Sequence, residues 1–288
     1  MPAATTHAEF AKRLLDVMPQ ELKASITSMP MYYLGSQGPD IFFFHKYMFL
    51  PGSLHHIGSL MHNERPAETI RYLTSHASSP ALRSYVMGFI THYALDSSCH
   101  PIINAYSRKI AEETGVPESE AHFVMEGEID AWFLRELGRT VEDYNVYNML
   151  RISREEGKEL GRMYHTLFQK VYGINVPSSA IEQACHDSTR ITRQLKVGRK
   201  AQKCIYLAES IVRAPHLVTG MILADKADAV PAVLNPDHEV WNYFGESNRS
   251  FPELMNEAER LALKLMKKPD PSLCSKDFCG RPLPKAIL

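Results

Sequence analysis

Residues 85–100 read YVMGFITHYALDSSCH, and the reading of this stretch decides the fold. Tyr85 to Leu95 is apolar on nearly every side, which places it in a core rather than on a surface. His92, Asp96 and His100 fall four apart in the same stretch. On a helix of 3.6 residues per turn they stack on one face, aiming their polar groups in one direction. A buried carboxylate flanked by two imidazoles needs compensation, either a dense hydrogen-bond network or a divalent cation. Thirty residues on, His122, Glu126 and Asp130 repeat the spacing.

Outward from this core the chain reads as helix almost throughout. Apolar residues recur at three and four in Glu9 to Met18, Ala67 to Leu73, Ala121 to Leu137, Glu159 to Val171, Ala201 to Val212 and Phe251 to Met266. Breakers at Gly35 to Pro39, Pro51 to Gly52, Ser78 to Pro80, Gly115 to Pro117, Val176 to Ser179 and Val230 to Pro236 leave helix-length segments between them. Period-two alternation is scarce and no breaker resembles an interdomain linker. The expectation is an all-α protein with a single multi-helix domain over residues 1–266, followed by a polar, loosely held tail over 267–288.

Composition excludes more than it selects. The 288 residues carry a formal net charge of -1, so there is no global attraction to nucleic acid or anionic lipid. The start, MPAATTHAEFAKRLL, lacks a secretory signal pattern, and no run approaches the roughly 18 apolar residues of a membrane span. These features predict a soluble, cytoplasmic chain. Five cysteines at scattered spacings fit reduced thiols, with Cys99 a small buried thiol and the Cys274 and Cys279 pair incidental.

Further residues join the two triplets. His7 opens the first helix, Gly38-Pro39-Asp40 presents an acid at a proline-fixed turn, and His62 ends Ile57 to His62. Zinc takes imidazole nitrogen and carboxylate oxygen, and paired ions about 3.5 to 4 Å apart activate water for in-line displacement at phosphorus. A core histidine satisfied by hydrogen bonds is the plain alternative for His7 or His62 taken alone, and a buried network or a solvated helix face is the alternative for the triplets. Arg190, Arg193, Lys196, Arg199, Lys200 and Lys203 recur at three or four and would form one basic stripe able to attract phosphate or a membrane surface, or merely a solvated face. The aromatics from Phe42 to Tyr47 would wall a ligand pocket or pack in the core.

Four motifs occur in order: GSQGPDIFFFH at 35–45, IGSLMH at 57–62, GFITHYALDSSCHP at 88–101 and HFVMEGEID at 122–130. Together they resemble the zinc-dependent phospholipase C family, whose superfamily includes secreted zinc nucleases acting on single strands. A weaker echo lies in NPDHEVW and SFPEL between Asn235 and Leu254. The resemblance implies the all-α fold of that family and up to three zinc ions. Asp40, His62, His92 and Asp96 would hold the first, with His55 and His56 as nearby alternatives to His62. His100, His122 and Glu126 would hold the second. His7, a bridging Asp96 and the chain's own amino terminus, freed by loss of Met1, would complete the third. Asp130 would orient a ligand imidazole rather than bind metal. The implied reaction is attack on phosphorus by a hydroxide between paired ions, with Asp40 orienting it or taking its proton. A phospholipid is the favoured phosphodiester substrate. Nucleic acid or a nucleotide is the second expectation, and a non-enzymatic zinc-stabilised helical binding protein the third. A cytoplasmic enzyme of this kind would threaten its own cell's membrane, which leaves room for non-classical export.

Overall fold

The computed structural model describes residues 4–47, 50–140, 145–195, 199–212, 216–222 and 231–284. Helix α1 (Ala4–Val17) leads through α2 (Gln20–Ser25) to α3 (Met29–Ser36) and a 3₁₀ turn over Gly38–Phe42. Then follow α4 (His55–Asn63), α5 (Pro66–His76), α6 (Pro80–Thr114) and α7 (Glu118–Glu136). The second half holds α8 (Val146–Met149), α9 (Arg154–Leu167), α10 (Ser178–Gln194), α11 (Arg199–Ile211), α12 (Leu217–Met221) and α13 (Phe251–Lys267). Among the described residues the only strands are the two-residue pair Trp241–Asn242 and Glu246–Ser247, so the fold is all-α as the periodicity predicts. No helix among them is long and apolar enough to cross a membrane.

The 35-residue helix α6 is the axis. Its start follows from sequence: Ser79 accepts from Leu82 N at 3.2 Å and Pro80 occupies the first turn, where its missing N–H costs nothing. Its end follows from Gly115, which takes the left-handed conformation at φ 76 that closes a helix. Helices α1, α3, α7 and α13 pack around it. The α3–α6 contact is set by two glycines. A Cβ on Gly88 would stand 1.9 Å from the Tyr32 carbonyl oxygen, and one on Gly35 would stand 2.1 Å from that of Tyr85. Only residues without a side chain allow the two backbones this close.

Pro101 lies inside α6 and cannot donate to the Ser97 carbonyl four residues back. Gly280, at φ 79, nests against this proline, and a Cβ there would meet Pro101 Cγ at 2.4 Å. The segment after Lys267 is therefore not the loosely held tail that its polarity suggested. Cys274 and Phe278 are fully buried, and Asp277 nearly so. Part of its polar composition is satisfied internally, as where Asp277 Oδ1 accepts from Arg281 N at 2.8 Å.

The basic residues do not form one stripe. Helix α10 ends at Gln194 and α11 begins at Arg199, so Arg190 and Arg193 belong to one helix and Lys200 and Lys203 to another. Arg190 and Arg193 line a cavity of about 670 Å³ together with Tyr147, Arg151 and His186. Lys196 and the Arg199 side chain lie outside the described residues. Of the aromatic run, Phe42 is core, edge-on to Tyr164 and Phe168 at 5.4 and 5.6 Å between ring centres.

Candidate metal centre

The long helix α6 delivers His92, Asp96 and His100 to one face, and all three are buried. Helix α3 and its following turn, pressed close by Gly35 and Gly88, bring Asp40 against that face. Helix α1 adds His7, α4 adds His62 and α7 adds His122 and Glu126. Two groups of donors result. One oxygen or nitrogen from each of Asp40, His62, His92 and Asp96 lies within 4.8 Å of the others, and the same holds for His100, His122 and Glu126.

In the first group His62 Nε2 is 3.1 Å from Asp40 Oδ1 and 3.5 Å from Asp96 Oδ2. His92 Nε2 is 3.0 Å from Asp96 Oδ2 and 3.7 Å from Asp40 Oδ1. In the second, Glu126 Oε1 is 3.1 Å from His122 Nε2 and 3.5 Å from His100 Nε2. His7 Nε2 approaches the other oxygen of Asp96, Oδ1, at 3.2 Å, and its ring stacks on His92 at 4.2 Å between centres. Asp96 thus stands between His7 on one side and His62 and His92 on the other.

The opposite edge of each imidazole explains what this arrangement needs. His62 Nδ1 meets the Gly58 carbonyl at 2.7 Å, His92 Nδ1 that of Ser36 at 3.1 Å, and His100 Nδ1 that of Phe278 at 2.7 Å. His122 Nδ1 meets Asn104 Oδ1 at 3.0 Å. Carbonyl oxygens only accept, so Nδ1 carries the proton in all four and the neutral ring turns a lone pair on Nε2 inward. Those lone pairs face carboxylate oxygens. The buried atoms His62 Nε2, His92 Nε2, Asp40 Oδ1 and Asp96 Oδ2 make no hydrogen bond. Lone pairs aimed at anions repel unless a proton or a metal ion lies between them.

Without a cation, protons must serve. Burial alone would lower the His62 pKa, but the carboxylates of Asp40 and Asp96 beside its Nε2 outweigh it and raise the value to about 10. His100 is likewise pulled down by burial and pushed up to about 9 by Asp96 and Glu126. His92 goes the other way: burial dominates and its pKa is lowered. Burial would raise Asp96, yet the surrounding His100, His92 and His7 hold it well below the usual carboxylate range. Mixed protonation of this kind is what a divalent cation removes, and the donor set of imidazole nitrogen and carboxylate oxygen suits zinc.

Several expectations are sharpened. His55 and His56 are exposed and outside both groups, whereas His62 is buried within one. Asp130 joins neither and orients no imidazole: its carboxylate accepts from Thr5 N at 3.1 Å, Thr6 N at 2.7 Å and Thr6 Oγ1 at 2.5 Å. It caps the start of α1 from outside that helix, and so positions His7 through the backbone. Burial pushes its pKa up to about 7 against the pull of those donors. Cys99 is buried and free, as a small apolar residue would be. The amino terminus proposed for the third ion lies outside the described residues.

Two contributors escaped the sequence reading. Asn104 stands four residues after His100, so the ladder of 92, 96 and 100 in fact continues by one more turn; extending the spacing would have found it. Phe278 carries no such signal. Its N–H donates to the His62 carbonyl at 3.1 Å, its carbonyl accepts from His100, and its ring packs 5.4 Å from His62 and 5.7 Å from His92.

Compared with known protein families, the chain matches one described as zinc dependent phospholipase C over residues 6–173, more than half its length. The match contains every donor of both groups and ends before Asn235 and Phe278. No curated protein and no solved structure matches the chain.

Proposed function

The chain belongs to the zinc-dependent phospholipase C family, and from that premise we propose that it hydrolyses a phosphodiester bond of a phospholipid. Asp40, His62, His92 and Asp96 would hold one zinc ion, and His100, His122 and Glu126 would hold another. His7 and the outer oxygen of Asp96 would contribute to a third. When bound, zinc supplies positive charge that draws electron density from the phosphoryl oxygens and makes water acidic enough to attack near neutral pH.

The residues divide the remaining work. The Nδ1 bonds of His62, His92, His100 and His122 hold each ring in the tautomer that presents Nε2 as a donor atom. Asp96 turns Oδ2 to the first group and Oδ1 to His7, so one side chain would be shared between two metal positions. Asp40, on the turn after α3, accepts the proton released by the attacking water. His122 is the most accessible donor, its side chain 21% exposed, so the phosphoryl group enters from the α7 side.

The observation that carries this reading is the convergence of buried, hydrogen-bond-free lone pairs and carboxylate oxygens in the four-donor group. Its test is turnover of a short-chain phosphatidylcholine against single-stranded DNA, with protein of measured zinc content and its His92→Ala variant. Zinc-dependent release of the phosphorylated head group, lost in the variant, is the expected result. Faster cleavage of DNA would move the substrate to nucleic acid, and inertness toward both by fully loaded protein would make the ions structural.

A further inference from the structure

Helix α11 carries its apolar side chains on the wrong side for a helix buried in a core. The face of Gln202, Ile205 and Glu209 turns toward α12: Gln202 Nε2 donates to the Thr219 carbonyl at 3.4 Å, and the Glu209 carboxylate accepts from Val218 N at 2.8 Å and Thr219 N at 3.2 Å. At 3.6 residues per turn, Cys204, Leu207 and Ile211 fall on the opposite face. Leu207 is 60% exposed, Ile211 73% and the adjoining Val212 70%. Tyr206, half exposed, lies toward the α12 side of the helix and stacks on His216 at 4.1 Å between ring centres. Lys200 and Lys203 are exposed at its amino-terminal end. The one acidic residue of α11, Glu209, points away, bound to α12.

This surface is fixed relative to the metal centre. Helix α12 packs on α7 so closely that a Cβ on Gly127 would lie 2.9 Å from the Gly220 carbonyl oxygen. The residue before α12, His216, binds Glu120 of α7 through its N–H and its Nδ1, each at 3.0 Å. Helix α7 is the one that bears His122 and Glu126, so α11 stands on the flank of the accessible donor.

We propose that the outer face of α11 docks onto an anionic phospholipid bilayer, a choice of partner that rests on the lipid-hydrolase reading above. Leu207, Ile211 and Val212 enter the boundary between head groups and acyl chains, and Lys200 and Lys203 meet lipid phosphates. A helix with an exposed apolar stripe, flanking lysines and no outward acid has the charge pattern of an interfacial helix. A second copy of the chain fits less well, because Lys200 and Lys203 would find no acid on the same face of a partner's α11, whose one acid, Glu209, is bound to α12.

The test is co-sedimentation of the full-length protein with vesicles of phosphatidylglycerol and phosphatidylcholine, beside vesicles of phosphatidylcholine alone. Exposed Cys204 takes an environment-sensitive dye in parallel. Expected are binding to the anionic vesicles and a blue-shifted dye signal. L207E/I211E should weaken binding by about tenfold or more through the apolar area lost. K200E/K203E should weaken it about tenfold and remove the preference for anionic lipid. Both variants alter exposed side chains, so circular dichroism should match the parent. Equal sedimentation of parent and L207E/I211E, or a dye shift that follows Leu207-dependent dimerisation without vesicles, would overturn the proposal. Cleavage of dispersed short-chain lipid without vesicle binding would overturn the docking and keep the hydrolase reading. Vesicle binding without lipid hydrolysis would do the reverse.

Discussion

The Phe278 carbonyl oxygen accepts the Nδ1 proton of His100 at 2.7 Å across 178 positions of sequence. One main-chain group near the carboxyl end thereby sets the tautomer of a donor in the middle of the chain. The Phe278 ring closes the same corner against Phe89 and Tyr93 at 5.8 and 5.1 Å between centres.

Replacing Phe278 with Ala should therefore have two separable effects. Removing a fully buried phenyl ring costs about 3 to 5 kcal/mol, read by urea unfolding of zinc-free protein. Loosening the support of His100 and His62 should weaken zinc binding roughly 10- to 100-fold, read by chelator competition. Unchanged zinc affinity in a destabilised variant would show that the ring only fills space.

Gly88→Ala tests the α3–α6 contact. The new methyl group has nowhere to go against the Tyr32 carbonyl, so α3 must shift and carry Ser36 and Asp40 with it. A loss of about 1 to 3 kcal/mol or more is expected, with fewer zinc ions retained at a fixed free concentration. A variant with parental stability and zinc content would show that α3 moves freely.

Zinc loading should expel protons. His62 and His100 stand at about 10 and about 9 in the metal-free protein, above the ordinary value of 6.5, so both are protonated at neutral pH. Calorimetry at pH 7 in buffers of different ionisation enthalpy should register a proton from each on zinc binding. The same raised values make a stability prediction for the metal-free chain. Their contribution is fully present below pH 6.5 and is lost as pH rises through about 9 and 10, so urea midpoints should fall over that range. Zinc-loaded protein should lack this decline, and a flat profile in the metal-free protein would contradict the pairing.

Asp40→Asn keeps the shape of the side chain and removes its charge. With Asp40 as proton acceptor, kcat should fall by about 10²- to 10⁴-fold while zinc in the His100, His122 and Glu126 group stays bound. Metal analysis beside steady-state kinetics separates the two roles given to Asp40: lowered kcat with zinc retained in both groups marks proton acceptance, and lowered kcat with zinc lost from the Asp40, His62, His92 and Asp96 group marks coordination.

Asp130→Ala should shorten α1 at its start. Three donors from Thr5 and Thr6 lose their acceptor, which costs about 0.5 to 2 kcal/mol by analogy with a lost helix cap. Amide exchange at Thr5 and Thr6 should accelerate while exchange in α7 does not.

The all-α class was legible because helical periodicity recurs from α1 to α13, and the ladder on α6 was legible because its residues share one helix. Asp40, His62 and His7 lie on other elements, and no spacing rule joins them to His92; only the motif resemblance brought them together. The tail departs from its expectation because polarity does not imply exposure: Asp277 Oδ1 accepts from Arg281 N within the segment while Cys274 and Phe278 turn inward. The basic stripe failed for a related reason. A regular spacing of charges was extended across the end of α10, where helical phase is lost.

Three of the four imidazoles in the two donor groups rest their Nδ1 on main-chain carbonyls, of Gly58, Ser36 and Phe278, and the fourth rests on the side chain of Asn104. A main-chain acceptor survives any substitution that leaves the backbone in place, so drift at positions 36, 58 and 278 is buffered as far as the tautomers are concerned. Position 104 has no such protection. It is the adjustable screw of the centre, the place where a single codon change removes the acceptor itself.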